Sequence, residues 1–393
     1  MKYPITPEYL ENAPKKLIRL YEDFEADVLA DICRRLAQSG TVTESALEQI
    51  RVMQRQGKTA EAIQKKLEKL LNMSRKELDE LFQDAVERNE EYLKASLTKA
   101  DIIRVDEQWR PALQAQNDAI RRQTEEAFVN LTQSMGFAIR EGAGVRFLGI
   151  AETYQRILDR AALEVSTGAM DYNTVIRRSV RELADSGIVM VNYASGWRNR
   201  ADVAVRRAVM TGVTQISAQY SEKSAELLGT PLREVSAHRG ARDVDGPKGW
   251  ENHKKWQGKV YAMGYHPRYP NIYDVCGLGD VTGLEGANCR HMHFPFVEGV
   301  SERTYTDEQL EALDPPPFTY QGREYTAYEA TQKQRQLETA IRAQKRRVLA
   351  FESAGAEQDA QDAKTRLRAL ESEYRNFSKA AGLPEQFERA RIN

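Results

Sequence analysis

All five histidines and two of the three cysteines of this 393-residue chain fall between His238 and His293. All but His266 sit in four clusters: His238-Arg239-Gly240-Ala241-Arg242-Asp243, His253-x-x-Trp256-x-Gly258, Cys276-Gly277-x-Gly279 with Gly283 and Gly286, and Asn288-Cys289-Arg290-His291-x-His293. These side-chain types ligate soft metals, act as nucleophiles or move protons near neutral pH. Zinc is one chemistry open to them. Cys289, His291 and His293, with His238 or His253, are donors that tetrahedral zinc accepts, although the spacing is neither that of a finger nor of a ribbon. On a strand, Cys-x-His-x-His would place all three side chains on one face. A second is covalent catalysis, with Cys289 or Cys276 beside a histidine, but no cysteine-hydrolase signature surrounds either. A third is nuclease or toxin-type transferase chemistry housed in residues 231–299, with His238, Asp243 and His253 as acid and base and Arg239, Arg242 and Arg290 holding phosphate.

The sequence favours a fourth, structural reading. In a small module, buried histidines and arginines tie loops together through hydrogen bonds to carbonyls, glycines supply turns, and Trp250 and Trp256 supply apolar mass. The expected core of such a module is His238, Arg242, Asp243, His253, Trp256, Gly258, Cys289, Arg290 and His291. On this reading the protein is not an enzyme and needs no cofactor, a structural zinc being the alternative. Cys276-Gly277-Leu278-Gly279 lacks the third glycine of a dinucleotide loop and opens no helix.

The elements that must position these residues are mostly helical. Leu17, Leu20, Tyr21, Phe24, Val28, Ile32 and Leu36 recur at three- and four-residue steps, so one apolar stripe runs down a helix ended by Ser39-Gly40. Cys33 falls within this pattern as a small core residue. Thr43 caps a following helix with Leu47, Ile50 and Met53; Gly57 breaks it; Thr59 starts another with Ile63, Leu67 and Leu70. Ser74 and Glu77 have capping-box spacing ahead of Leu78, Leu81 and Phe82. Pro111 suits the first turn of a long helix reaching about Ile139. Gly136, Gly142 and Gly144 mark a joint before helices over about 147–163 and 172–184, a strand at Ile188–Val191, and a helix over about 198–228. From Pro231 to Gly299 the helical period vanishes, and short strands and ordered loops are expected. Gln321-Gly322 sits at the turn of a short β-hairpin. Two charged helices, about 327–352 and 357–380, hinge at Ser353-Ala354-Gly355 and form an antiparallel hairpin or a seam with another subunit.

The expected fold class is therefore α+β and predominantly α. It has long N-terminal helices (1–140), central helices with a short strand (141–230), a compact Gly/His/Cys-rich module (231–317) and a β-hairpin followed by a C-terminal helical hairpin (318–393). The 41% apolar content is enough for sizeable cores, and 29% charged residues cancel to a net charge of -1. Overall charge thus selects neither a nucleic-acid binder nor a membrane surface. Three cysteines are too few and too odd a count for a disulfide framework and suit a reducing cytoplasm. The first residues carry no apolar signal core, and no apolar run is long enough to span a bilayer, so no membrane is expected. Locally, Arg177, Arg178, Arg181, Arg198, Arg200, Arg206 and Arg207 outnumber the nearby acids and offer non-specific contact with duplex DNA, the alternative being a solvated face with internal salt bridges.

One further pattern is carried by Asp202-Val-Ala-Val-Arg206-Arg207-Ala-Val-Met-Thr211-Gly212-Val-x-Gln215, then Ser236-Ala-His238-x-Gly240-Ala241-Arg242, His253-x-x-Trp256-Gln257-Gly258-Lys-Val-Tyr261, and Gly283-Leu284-x-Gly286-x-Asn288-Cys289-Arg290-His291 with Pro295-Phe296. In this order and spacing the chain resembles the phage minor capsid protein 2 family, and is distantly similar to Mu-type minor head (head-morphogenesis) proteins. The resemblance is most specific over residues 170–300. It implies a virion component of a tailed phage head, present in the host cytoplasm during assembly. It further implies few copies, an oligomer on a ring, contact with the portal or major capsid protein, and help with head assembly and with DNA packaging or ejection. It implies no catalytic set. In the Mu-type relatives a Cys-Arg-Cys-like end recurs; here His291 replaces the second cysteine, which leaves a shared metal site open.

Overall fold

In a computed structural model, described over residues 3–38, 58–102, 107–141, 144–167, 170–191 and 198–392, the chain is predominantly helical with small antiparallel sheets. It divides into two units, each assembled from three stretches: residues 1–16, 75–127 and 206–332 in the first, and 17–74, 128–205 and 333–393 in the second.

In the second unit, helix α2 (Lys15–Gln38, after α1, Pro7–Asn12) buries Leu17, Tyr21, Phe24, Val28, Ile32, Cys33 and Leu36, the stripe its spacing predicts. The helix predicted around Leu47 to Met53 lies outside the described residues. Helix α3 then runs without a break from Lys58 to Lys99. Ser74 is thus inside a helix rather than at its start, and its hydroxyl donates to the carbonyl of Leu70 at 2.8 Å. The capping-box spacing misleads because Ser74 finds an acceptor one turn back and the apolar stripe continues through it.

Helix α4 (Arg110–Gln133) stops well before Ile139. Residues Met135–Glu141 form strand β1, paired with β2 (Gly144–Gly149) in a hairpin, so helix α5 begins only at Ile150 and ends at Ser166. The expected joint is therefore a pair of strands. At Gly136 a side chain would meet the Leu148 carbonyl oxygen at 2.1 Å, so the close approach of β2 requires glycine. With β3 (Ile188–Val191, as predicted) and β4 (Arg198–Arg200) they make an antiparallel sheet in the order β2-β1-β3-β4. Helix α6 (Tyr172–Ser186) has Asp171 as its N-cap and ends at Gly187, whose φ of 57° brings the chain against the Glu25 carboxylate.

Helices α11 (Ala327–Ser353) and α12 (Glu357–Ala380) turn at Gly355 and pack on each other. Gln344 donates to the Ala363 carbonyl at 3.1 Å, Gln334 to the Ser378 hydroxyl at 2.9 Å and Tyr374 to Glu338 at 3.2 Å. Polar ties compensate for the sparse apolar positions.

In the first unit, the main part of α7 (Ala201–Leu227) packs on α3 and α4. A side chain at Gly212 would meet Phe82 at 2.4 Å and Thr124 at 2.8 Å, and Ser217 contacts Asn89 at 3.1 Å. Strands β5 (Leu232–Val235), β6 (Val260–Ala262) and β7 (His293–Pro295) form a sheet in the order β6-β5-β7, connected by loops and the short helices α8 (His253–Trp256) and α9 (Ile272–Cys276). Tyr3 stacks on Phe294 at 4.5 Å, which fastens the N-terminal segment to this sheet. After α10 (Asp307–Glu311), β8 (Phe318–Tyr320) and β9 (Arg323–Tyr325) form the predicted hairpin, with Gln321 and Gly322 both at positive φ. No helix among the described residues is long and apolar enough to cross a membrane.

Candidate metal centre

Helix α8 presents His253 and Trp256 inward, and the chain entering β7 presents Cys289 and His291 to the same point. The Cys289 Sγ lies 3.7 Å from His253 Nδ1 and 3.5 Å from His291 Nδ1. All three residues are buried, and their ligand atoms lie within 4.8 Å of one another.

The far side of each ring settles its tautomer. His253 Nε2 is 3.0 Å from the Thr282 carbonyl oxygen, which can only accept, so Nε2 carries the proton. His291 Nε2 is 3.0 Å from Gln257 Oε1. That oxygen also accepts the His238 N–H at 3.0 Å, which fixes the orientation of the amide. His291 Nε2 is therefore a donor as well. Both Nδ1 lone pairs consequently face one sulfur. Burial pushes the Cys289 thiol up to about 11, pulls His253 down to about 4 and takes His291 well below the usual histidine range. At neutral pH the group is thus two neutral imidazoles and a protonated thiol, a poor nucleophile in a closed site.

Thr282 is held by a tight loop. Its N–H and hydroxyl donate to Asp280 Oδ1 at 2.9 and 2.7 Å, and Leu284 N–H donates to the Cys276 carbonyl at 2.8 Å. A side chain at Gly283 would stand 2.2 Å from the Gly277 carbonyl oxygen, so this turn closes only with glycine. Trp256 roofs the cluster, its ring 4.6 Å from His253 and 5.0 Å from His291, and its indole N–H donates to the Trp250 carbonyl at 2.8 Å. Gly258, next to Gln257, takes a positive φ of 70°.

The remaining predicted residues divide. His238 stacks on His291 at 4.4 Å, but its Nδ1 lies between the Arg239 carbonyl oxygen at 2.9 Å and the Arg290 guanidinium at 3.1 Å. Arg290 also donates to Glu11 of α1 at 2.6 Å. Arg242 reaches the Thr282 carbonyl at 3.3 Å. Asp243 hydrogen-bonds to neither His238 nor His253, so the acid–base set of the nuclease reading is not assembled here. His293 leaves the cluster. It starts β7 and lies between Glu285 at 2.7 Å and Glu222 at 3.0 Å. The one-face expectation fails because residues 289–292 are not in a regular strand. Gln257 and Thr282, which orient the rings, were not singled out as site residues; for Thr282 only a backbone carbonyl acts, and that leaves no mark in a sequence.

His293 carries a prediction of its own. Burial lowers its pKa, but Glu285 and Glu222 outweigh that and raise it to about 9. A raised folded-state value contributes stability that is complete below the unfolded value of 6.5 and is lost as pH rises through 9. Roughly 3 kcal/mol should disappear across that window. Urea unfolding at pH 6 and pH 9.5 reads the loss, and His293→Gln should flatten it. A wild type equally stable at both pH values would exclude the ion pair.

Five of the seven arginines considered for DNA are paired within their own unit. Arg177 and Arg181 hold Asp359 at 2.5 and 3.2 Å, Arg178 holds Glu164, Arg200 holds Glu25 at 3.0 Å and Arg206 holds Glu11 at 3.4 Å. Arg207 is exposed, and the Arg198 side chain lies outside the described residues.

Comparison with known proteins finds relatives described as structural proteins of phages. A "Structural protein" of Lactococcus phage LL-H is 28% identical over 165 residues, which are 40% of this chain and 42% of that protein. The chain therefore matches less than half the length of that relative. A "Structural protein" of Lactococcus phage mv4 is 33% identical over 131 residues, 33% of this chain and 95% of that protein. No solved structure matches the chain. The family model for phage minor capsid protein 2 matches residues 5–379, nearly the full length, and the chain belongs to that family.

Proposed function

We propose that this protein is a structural minor component of a tailed-phage head that acts near the portal and assists head assembly. The observation that carries the reading is the family match over residues 5–379 together with relatives described as structural proteins. The burial of the Cys/His cluster favours a scaffold over a catalyst. Long helices with charged outer faces supply surfaces suited to the portal or major capsid protein, and repeated contact of that kind gives a ring-like oligomer. The site of action is the virion, reached from the host cytoplasm during assembly.

A part in DNA packaging or ejection is the weaker element, because most of the central arginines already serve intramolecular carboxylates. Deleting the gene from its phage tests the whole. The expected result is heads that fail to assemble or are not infectious, with the protein present in wild-type particles at a small fraction of the major capsid protein. Normal infectious yield from the deletion, with no trace of the protein in purified wild-type particles, would exclude a head component. Co-expression with the portal protein of the same phage should give a complex on gel filtration.

A further inference from the structure

We propose that His253, Cys289 and His291 form a structural zinc site, binding the ion through the two Nδ1 atoms and the sulfur.

Three acceptor atoms converge: Cys289 Sγ, His253 Nδ1 and His291 Nδ1. Both Nδ1 atoms are unprotonated, because each ring spends its proton on the far side, one on the Thr282 carbonyl and the other on Gln257. The thiol has a single hydrogen and can satisfy one imidazole at most. One buried ring nitrogen is therefore always left without a donor, an arrangement that costs free energy when empty and is corrected by a cation. Among the described residues, the nearby cations are engaged elsewhere. The Arg290 guanidinium is committed to Glu11 and His238, and Arg242 reaches the Thr282 carbonyl rather than the nitrogens.

The sulfur-to-nitrogen spacing fits the same ion. With Zn–S of about 2.3 Å and Zn–N of about 2.0–2.1 Å, the sulfur-to-nitrogen edge of a tetrahedron is about 3.6 Å. The two sulfur-to-nitrogen edges here are 3.7 and 3.5 Å, and all three ligand atoms lie within 4.8 Å of one another, so the rings draw together toward a nitrogen-to-nitrogen edge of about 3.3 Å as the ion binds. A thiolate with two imidazoles is a donor set suited to zinc rather than to magnesium or calcium. The ring N–H bonds to Thr282 and Gln257 are the outer contacts that orient metal-bound histidines. Binding breaks the S–H bond, releases that proton to solvent and forms Zn–S, with no change of oxidation state. Among the described residues three donors converge here, one short of a full tetrahedral set. The ion would join α8 to the segment entering β7 and so close the loops between them.

The test uses the full-length chain. Protein purified without chelator and incubated with zinc sulfate is assayed by elemental analysis, and apoprotein is titrated with cobalt(II). About one zinc per chain is expected, with a thiolate-to-cobalt charge-transfer band in the near ultraviolet. Removing zinc with a chelator should lower Tm by at least about 5 °C. Alkylation under mild denaturant, followed by peptide mass spectrometry, reads which cysteine the metal shields and needs no variant. Cys289 should be shielded by metal far more strongly than Cys276, which shares its core, while Cys33, in the other unit, should react alike with and without it. Cys289→Ser should abolish the band, and Cys33→Ser should keep it. The proposal is overturned by fewer than about one zinc per ten chains in folded protein together with no cobalt band. It is equally overturned by metal that shields Cys276 or Cys33 in place of Cys289.

Discussion

Arg342→Ala is expected to cost the second unit about 3–5 kcal/mol, the loss typical of stranding buried charge. Arg342 on α11 donates to Asp202 at 2.5 Å and to Glu22 of α2 at 3.2 Å. Around it, Arg200 pairs with Glu25 and Asp202 at 3.0 and 3.4 Å, and Arg346 lies 3.9 Å from Glu25 while donating to the Ala184 carbonyl at 3.3 Å. Glu25 also accepts the Ile188 N–H at 2.6 Å, which ties β3 to α2. Three arginines and three carboxylates thus balance inside one unit. Burial pushes Asp202 upward, yet Arg342 and Arg200 more than offset it and keep the carboxyl below its ordinary value. Burial lifts Glu22 to about 7 even with Arg342 beside it. Without Arg342 both acids would have to protonate or draw in water. The companion variant Arg342→Met with Asp202→Asn removes one charge of each sign and should recover much of the loss. Chemical denaturation reads both, and a single-variant loss under about 1 kcal/mol would show that the network is solvent-screened.

Trp256→Ala should destabilise the first unit by about 3–5 kcal/mol, as expected for emptying the space of a large buried aromatic. Trp256 is 1% exposed, and it packs with Val235, Tyr261, Ile272, Cys276, Leu284 and Cys289. It also lies against both cluster histidines, and its own carbonyl accepts the Tyr261 hydroxyl at 2.9 Å. Its removal therefore takes away apolar area, a ring contact on each imidazole and the donor to the Trp250 carbonyl at once. Trp256→Phe keeps the ring contacts and should lose roughly half as much. Near-ultraviolet circular dichroism with urea unfolding separates the two. Equal stability of the alanine variant and the wild type would mean that the module rests on its glycine turns instead.

Much of this molecule follows from local pattern. The stripe of α2, the strand at Ile188–Val191, the hairpin at Gln321-Gly322 and the hinge at Gly355 were legible because each depends on near neighbours in the chain: a 3.6-residue period, β-branching, a positive-φ turn. So was the crowding of histidine and cysteine, and with it the choice between a loop-tying core and a zinc. Tertiary structure decided the rest. Met135–Glu141 is a strand because Gly136 lets β2 approach, although its short apolar run fits a helix equally well. Arg177, Arg178, Arg181, Arg200 and Arg206 look like a surface for phosphate until the fold supplies Asp359, Glu164, Glu25 and Glu11 as their partners. His293 and His291 are two residues apart yet reach different partners, because irregular backbone at 289–292 breaks the alternation that sequence spacing assumes. The sequence determined which donors and charges exist and which short elements carry them. Only the fold decided which of them meet, since that pairing depends on contacts between residues tens to hundreds of positions apart, and on a carbonyl and a glycine whose roles no local pattern encodes.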